Sequence, residues 1–300
     1  MTETDSLYHS ILEQIRSFWK FCPDKPEENP ESILRSLWLT ACGVPTSVRG
    51  AQNKALPPLE QEQLQKLYSF IEKKRAGVPS AYICERAHFL DIEFLTGPQA
   101  LIPRIETEIL GNAVLEKLRL LQNNRSHLQI IDVCTGCGNL ALSYAHYFPN
   151  SKVFCSDVSD EAIKLAKKNG DHLHLQNVEY FAGDLFSPFR NVNFLQKCDV
   201  VSCNPPYIST SKVAKMDNEI SGHEPKLAFD GGTFGISILS RVITEGPEFL
   251  KPGSWLCFET GLGQGPALVT KLKKNNHFKN IEYFCDGNNN IRAICAQTSG

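Results

Sequence analysis

The pattern of apolar and polar positions changes character once along the chain. At the start, Leu7, Ile11, Leu12, Ile15, Phe18 and Trp19 recur at helical spacing. Pro23, Pro26 and Pro30 interrupt, and Ile33, Leu34, Leu37 and Trp38 then mark a second helix ending near Gly43 and Pro45. After a polar loop, Leu64, Leu67, Tyr68 and Ile71 mark a third helix running into Lys73-Lys74-Arg75, and Gly77-Val78-Pro79-Ser80 breaks it. Residues 1–85 therefore predict a helical domain, and both a substrate-docking module and a cap over sheet surface fit that pattern. Residues 88–103 alternate and turn around Thr96-Gly97-Pro98, which predicts a short β-hairpin and makes 86–104 a linker between two domains. Ile105-Glu106-Thr107-Glu108 opens a helix with acids in its first turn, as the helix dipole favours.

From residue 128 the pattern becomes strands alternating with helices. The strands fall near 128–133, 152–157, 178–183 and 198–203, with three more near 254–260, 279–285 and 291–297. That alternation predicts an α/β fold with a doubly wound sheet over 105–300. The net charge of −2 makes no overall electrostatic case for nucleic-acid binding. No apolar run is long enough to span a bilayer, and the acidic start Met1-Thr2-Glu3-Thr4-Asp5 has neither a basic nor an apolar leader region, so a cytoplasmic protein is expected. The 11 cysteines are scattered, several within apolar runs, where free cysteine behaves as a small buried hydrophobe. Cys134 and Cys137 match C-x-x-C, but no second pair stands at zinc spacing, and no metal is expected.

Chemistry enters at Val200-Val201-Ser202-Cys203-Asn204-Pro205-Pro206-Tyr207. The apolar run reads as a buried strand that two prolines bring to an end. Asn204 then sits at a strand's carboxyl end, where open α/β sheets place their ligands. Residues 205 and 206 have no N–H and present carbonyl acceptors only. With the Asn204 oxygen and the Tyr207 ring, this cluster suits a planar group carrying –NH2.

Upstream, a buried strand ends in Asp132-Val133, a tight turn Cys134-Thr135-Gly136-Cys137-Gly138 follows, and Leu140 lies in a helix. The next strand ends in Asp157, at the distance where Rossmann-like folds hold ribose hydroxyls with a carboxylate. The glycines do not form G-x-G-x-x-G, which argues against a dinucleotide. The D-x-x-T-G-x-G form resembles motif I of class I S-adenosylmethionine methyltransferases. That resemblance implies a Rossmann-like seven-stranded sheet, with residues 134–138 under the methionine part of the cofactor and Asp157 on its ribose. It also implies Asp184 and Leu185 near the adenine; for Asp184 a strand-end cap fits equally well.

The chain from about residue 77 onward resembles the HemK/PrmC family, which methylates the side-chain amide nitrogen of glutamine in proteins. The matching residues are Gly77-Val78-Pro79, Ala81-Tyr82-Ile83, Leu101-Ile102-Pro103-Arg104, Glu106-Thr107-Glu108, motif I and Asn204-Pro205-Pro206-Tyr207. Glu224-Pro225, Asp230-Gly231-Gly232, Phe258-Glu259-Thr260-Gly261, Gln264 and the stretch 286–292 also match. Cys134 and Glu85 depart from frequent glycines, and Ile105 from a frequent proline. The resemblance implies S-adenosyl-L-methionine as methyl donor and, as substrate, the glutamine of the Gly-Gly-Gln loop in a class-1 peptide release factor. It implies further that Asn204, Pro205 and Tyr207 carry the reaction on a protein loop bound by a monomer, with no membrane, nucleic acid or catalytic histidine involved. Two other substrates stand beside this one: a glutamine of a large-subunit ribosomal protein, and the exocyclic amine of adenine, which a related Asn-Pro-Pro-Tyr logic serves. A binding module that keeps only the fold is a fourth reading.

Overall fold

A strand that is apolar on both faces needs helices on both sides of its sheet. Ile130, Ile131, Val133, Val200 and Val201 are all buried, and they lie on adjacent strands at the centre of such a sheet. The computed structural model describes residues 3–22, 25–190, 194–209, 222–232 and 235–299; Pro23 lies outside them. The chain divides into two compact units.

The larger unit holds Gln99–Leu101, Ile105–Met216 and Pro225–Gly300. Its elements are α5 (Thr107–Gln122), β3 (Gln129–Val133), α6 (Asn139–Tyr147), β4 (Lys152–Asp157), α7 (Asp160–His172), β5 (Val178–Ala182), the short α8 (Ser187–Arg190) and β6 (Cys198–Cys203). After these come α9 (Ser237–Glu245), β7 (Leu250–Glu259), α10 (Gly265–Lys273), β8 (Phe278–Cys285) and β9 (Ile291–Thr298). The seven strands run in the order β5-β4-β3-β6-β7-β9-β8. All neighbours are parallel except β9, which is antiparallel to β7 and β8. The chain winds outward from β3 to β5, returns to the other side of β3 with β6 and β7, reaches the far edge with β8, and comes back with β9 between β7 and β8. The β3/β6 boundary is therefore the topological switch point, where ligands of such sheets bind. Far from that edge, the buried Asp199 anchors the opposite ends of the strands. It accepts from Arg125 at 2.5 Å, from Lys251 at 2.8 Å and from the Gln129 N–H at 2.7 Å.

The smaller unit holds Met1–Pro98 and Ile102–Arg104, together with the described residues 222–224. It contains α1 (Glu3–Phe18), α2 (Pro30–Ala41), α3 (Gln61–Arg75), the one-turn α4 (Ser80–Cys84), β1 (Arg86–Phe89) and β2 (Ile92–Leu95). Asn29 caps α2 by accepting from the Ser32 N–H at 2.9 Å, with Pro30 at the first helical position. Ile11, Ile15, Ile33, Leu37, Trp38, Leu67 and Ile71 form its core. The hairpin is shorter than the alternation of 88–103 predicts, pairing 86–89 with 92–95. Its two-residue loop, Leu90-Asp91, has φ of 46° and 60°, the left-handed pair of a type I′ turn. Residues 100–104 are no strand: the Ile102 N–H goes to the side chain of Glu224 at 2.9 Å.

Candidate active site

The sheet's register assembles the site. Ser156, Val133, Cys203 and Phe258 are paired in one row across β4, β3, β6 and β7. The next residue on each strand therefore stands at the sheet's carboxyl edge: Asp157, Cys134, Asn204 and Glu259. Four residues that span positions 134 to 259 of the chain come from one row of parallel strands.

After β3 the backbone turns sharply into α6. Cys134, Gly136 and Gly138 have φ of 58°, 56° and 86°, and Thr135 bridges back to β4 by donating its N–H to the Ser156 carbonyl at 3.0 Å. A Cβ at Gly138 would meet Leu142 at 3.0 Å and Ala166 at 3.2 Å, so a larger residue there would push α6 away. At Gly136 a Cβ would meet only Ala100, at 4.0 Å, which leaves the loop open on that side. Cys137 is buried, its carbonyl accepts from Asn169 at 3.0 Å, and burial pushes its thiol up to about 12. Burial of this kind disfavours the reactive thiolate at Cys137. No group of His, Cys, Asp and Glu able to hold a metal is found among the described residues.

Asp157 Oδ2 accepts from the Gly136 N–H and Oδ1 from the Ser159 N–H, both at 2.9 Å. Burial raises its pKa against these backbone donors. Asp132, fully buried beneath the loop, accepts from Ser202 at 2.5 Å and Thr135 at 2.6 Å. Burial pushes it up to about 7, partly offset by those two hydroxyls. Asp132 thus ties the cofactor-type loop to the strand that delivers Asn204.

Asn204 is partly buried, and its Nδ2 donates to Thr107 Oγ1 at 3.2 Å. Pro205 is buried, while Pro206 and Tyr207 are half-buried. The Tyr207 hydroxyl donates to Glu259 Oε1 at 2.9 Å. The loop after Asn204 is held from two sides. Gln264 donates to the Tyr207 carbonyl at 3.0 Å and accepts from the Gly261 N–H at 2.9 Å. A Cβ at Gly231 would lie 2.5 Å from the Pro206 carbonyl, so the 230–232 stretch packs backbone on backbone. Asp184 is tied to Arg241 of α9 at 2.9 Å. Leu185 is buried with φ of 47°, and its carbonyl accepts from Ser156 at 2.8 Å, so its side chain belongs to the core. Thr107, Asp132, Ser202 and Glu259 were not among the residues singled out for chemistry. Glu259 carried a usable signal, since it ends a strand that a doubly wound sheet places next to β6.

A parallel sheet of this order, reversing at β3/β6 with an Asn-Pro-Pro-Tyr loop at the reversal, is the fold of the class I methyltransferases. Solved structures agree on fold. Human methyltransferase 10 domain containing protein matches with a TM-score of 0.51 at 17% identity, over 69% of this chain and 88% of that one. The hMettl16 catalytic domain in complex with MAT2A 3′UTR hairpin 6 matches with 0.52 at 15% identity, over 81% and 83%. Residues 111–233 match the family described as methyltransferase small domain.

Whole-chain relatives are more specific. The release factor glutamine methyltransferase of Clostridium acetobutylicum is 33% identical over 243 residues, 81% of this chain and 83% of that protein. That of Thermodesulfovibrio yellowstonii is 34% identical over 230 residues, 77% and 80%. That of Geobacter sulfurreducens is 28% identical over 288 residues, 95% and 93%. The chain belongs to the release factor glutamine methyltransferase family, as its motifs implied.

Proposed function

We propose that this chain methylates the side-chain amide nitrogen of the glutamine in the Gly-Gly-Gln loop of a class-1 peptide release factor, with S-adenosyl-L-methionine as donor. The observation that carries the reading is the orientation of the Asn204 amide. Its nitrogen is engaged by Thr107, which leaves Oδ1 as a fixed acceptor beside the Pro205 carbonyl.

The residues fit the cofactor. The loop is open above Gly136, and Asp157 is a partly buried carboxylate at the end of β4, an acceptor of the kind a diol needs. Thr135, Gly136 and Gly138 would hold the cofactor with Asp157. Cys134, Cys137 and Leu185 would contribute backbone, and Asp184 would flank its base. When bound, S-adenosylmethionine supplies a methyl group already activated by its sulfonium charge.

The protein's task is then to present a poor nucleophile. The lone pair of an amide nitrogen is delocalised into the carbonyl. Acceptance of both amide hydrogens, by Asn204 Oδ1 and the Pro205 carbonyl, draws electron density back onto nitrogen. The same two acceptors stabilise positive charge growing there. The Tyr207 ring, anchored through its hydroxyl to Glu259, packs against the amide plane. No base is needed before transfer, because a methylated cationic amide is strongly acidic and loses its proton readily. Fixing the nitrogen in place is itself worth several kcal/mol of barrier.

The test is transfer from labelled S-adenosylmethionine to a class-1 release factor and to the large-subunit ribosomal protein, each with its Gln→Ala control. Label on the release factor, lost in the control, is expected. Label only on the ribosomal protein, or on nucleic acid, would replace the substrate named here.

A further inference from the structure

Gln264 is half-buried and stands immediately before α10. Its side chain is bonded to backbone on three separate segments. Nε2 donates to the Tyr207 carbonyl at 3.0 Å and to the Gly235 carbonyl at 3.2 Å, and Oε1 accepts from the Gly261 N–H at 2.9 Å. Two carbonyls need a donor and one N–H needs an acceptor, so an amide fits here one way round, and an ionised carboxylate does not fit at all. Glycines make the approach possible. A Cβ at Gly235 would lie 2.1 Å from the Tyr207 carbonyl oxygen. A Cβ at Gly261 would lie 2.9 Å from Gln264 Oε1 and 3.0 Å from Tyr207 Cδ2.

What Gln264 holds is the peptide that joins Tyr207 to Ile208. The carbonyl of that peptide accepts from Gln264, and its N–H donates to the Phe229 carbonyl at 3.0 Å. The Ile208 carbonyl accepts in turn from the Gly231 N–H at 2.8 Å. Upstream, Asn204 leaves β6, whose register is set by β3 and β7. Between these two anchors the rings of Pro205 and Pro206 fix φ. The reacting loop is therefore pinned at both ends with few free torsions between them, and the Pro205 carbonyl and the Tyr207 ring lie inside that span.

We propose that Gln264 is a positioning residue: by anchoring the peptide after Tyr207, it holds the Pro205 carbonyl and the Tyr207 ring where the substrate amide needs them. Without that anchor the downstream end of the loop can turn, and the second of the two acceptors loses its aim. The effect falls on the rate of transfer, because the acceptors act on charge that grows during the reaction. The inference rests on the amide-methylation reading above.

Two variants test it. Gln264→Met keeps the length of the side chain and removes the donor. Gln264→Glu keeps the shape, donates nothing when ionised, and donates one hydrogen bond when protonated. Rates are measured with labelled S-adenosylmethionine and a class-1 release factor, cofactor affinity by calorimetry, and folding by thermal melts. At pH 8 both variants are expected to lower kcat about tenfold, with KM and cofactor affinity within about twofold of wild type. As pH falls from 8 to 5.5, the kcat of Gln264→Glu relative to wild type is expected to rise several-fold, while that of Gln264→Met stays flat. Wild-type kcat in Gln264→Met, a loss that appears in KM alone, or a flat pH ratio in Gln264→Glu overturns the proposal.

If the wild-type protein labels no release factor, the substrate reading fails and the anchoring is read directly. Amide hydrogen exchange at Ile208 and Gly231, whose N–H groups bond within the anchored turn, is expected to quicken about tenfold in Gln264→Met. Unchanged exchange at both positions overturns the proposal on its own.

Discussion

Cys134 and Glu85 stand where the family frequently has glycine, and both have left-handed backbone, with φ of 58° and 55°. A side chain in that region costs about 1–2 kcal/mol. The two positions differ in what the side chain returns. Glu85 is exposed, whereas Cys134 packs against the core cluster that contains Val133 and Cys203. Glu85→Gly is therefore expected to raise stability by about 1 kcal/mol in urea titrations, while Cys134→Gly exchanges strain for lost packing and leaves stability nearly unchanged. The family resemblance marked both positions as departures, but their physical meaning needed the backbone angles. Asp132 carries a second prediction at this scale. Its folded-state pKa of about 7 lies above its ordinary value of 3.8, because burial disfavours the charge. Between those values the folded protein holds a proton that the unfolded chain has released. Its contribution to stability is full at low pH and is lost as pH rises towards 7. Asp132→Asn is expected to shrink the fall in Tm between pH 5 and pH 8, as read by differential scanning calorimetry.

Elements whose cause is local were legible, and those whose cause is distant were not. The seven strands lie within a few residues of their expected places, apart from β7, which begins at Leu250 because its first residues pair with Cys198. The apolar runs there are bounded by prolines, glycines and charged residues that act within a few positions. The stretch 100–104 alternates like a strand, yet what holds it lies 122 residues away. Glu224 accepts the Ile102 N–H with one oxygen and pairs with Arg104 at 2.5 Å with the other, its side chain fully buried. No local pattern announces a backbone donor satisfied by a remote carboxylate. Glu224→Gln keeps an acceptor for Ile102 but removes the negative charge paired with Arg104, whose side chain is 11% exposed. A loss of about 3 kcal/mol is expected in denaturant titrations, the scale of breaking a buried ion pair from one side.

At the scale of the whole molecule, one topological fact explains why so few motifs placed the site. A sheet that reverses its winding between β3 and β6 opens a crevice at their carboxyl ends, and parallel register lines up Asp157, Cys134, Asn204 and Glu259 along it. Asp157 and Asn204 were readable because each follows a recognisable strand. Glu259 was readable as a family match and as the end of the strand that such a sheet places next to β6. The row also divides the labour. Asp157 lies on the loop side of β3 and Asn204 on the far side, and each makes its own hydrogen bonds. Removing one should therefore leave the other's function standing. Asp157→Ala is expected to weaken S-adenosylmethionine binding at least about tenfold in calorimetry, the cost of losing a charged hydrogen-bond acceptor. Asn204→Ala is expected to bind the cofactor nearly as wild type and to lower methyl transfer by about a hundredfold or more, since it removes an acceptor aimed at charge that develops only during transfer. If Asn204→Ala lost cofactor affinity in step with rate, Asn204 would belong to the cofactor's pocket and the substrate amide would have to be held elsewhere.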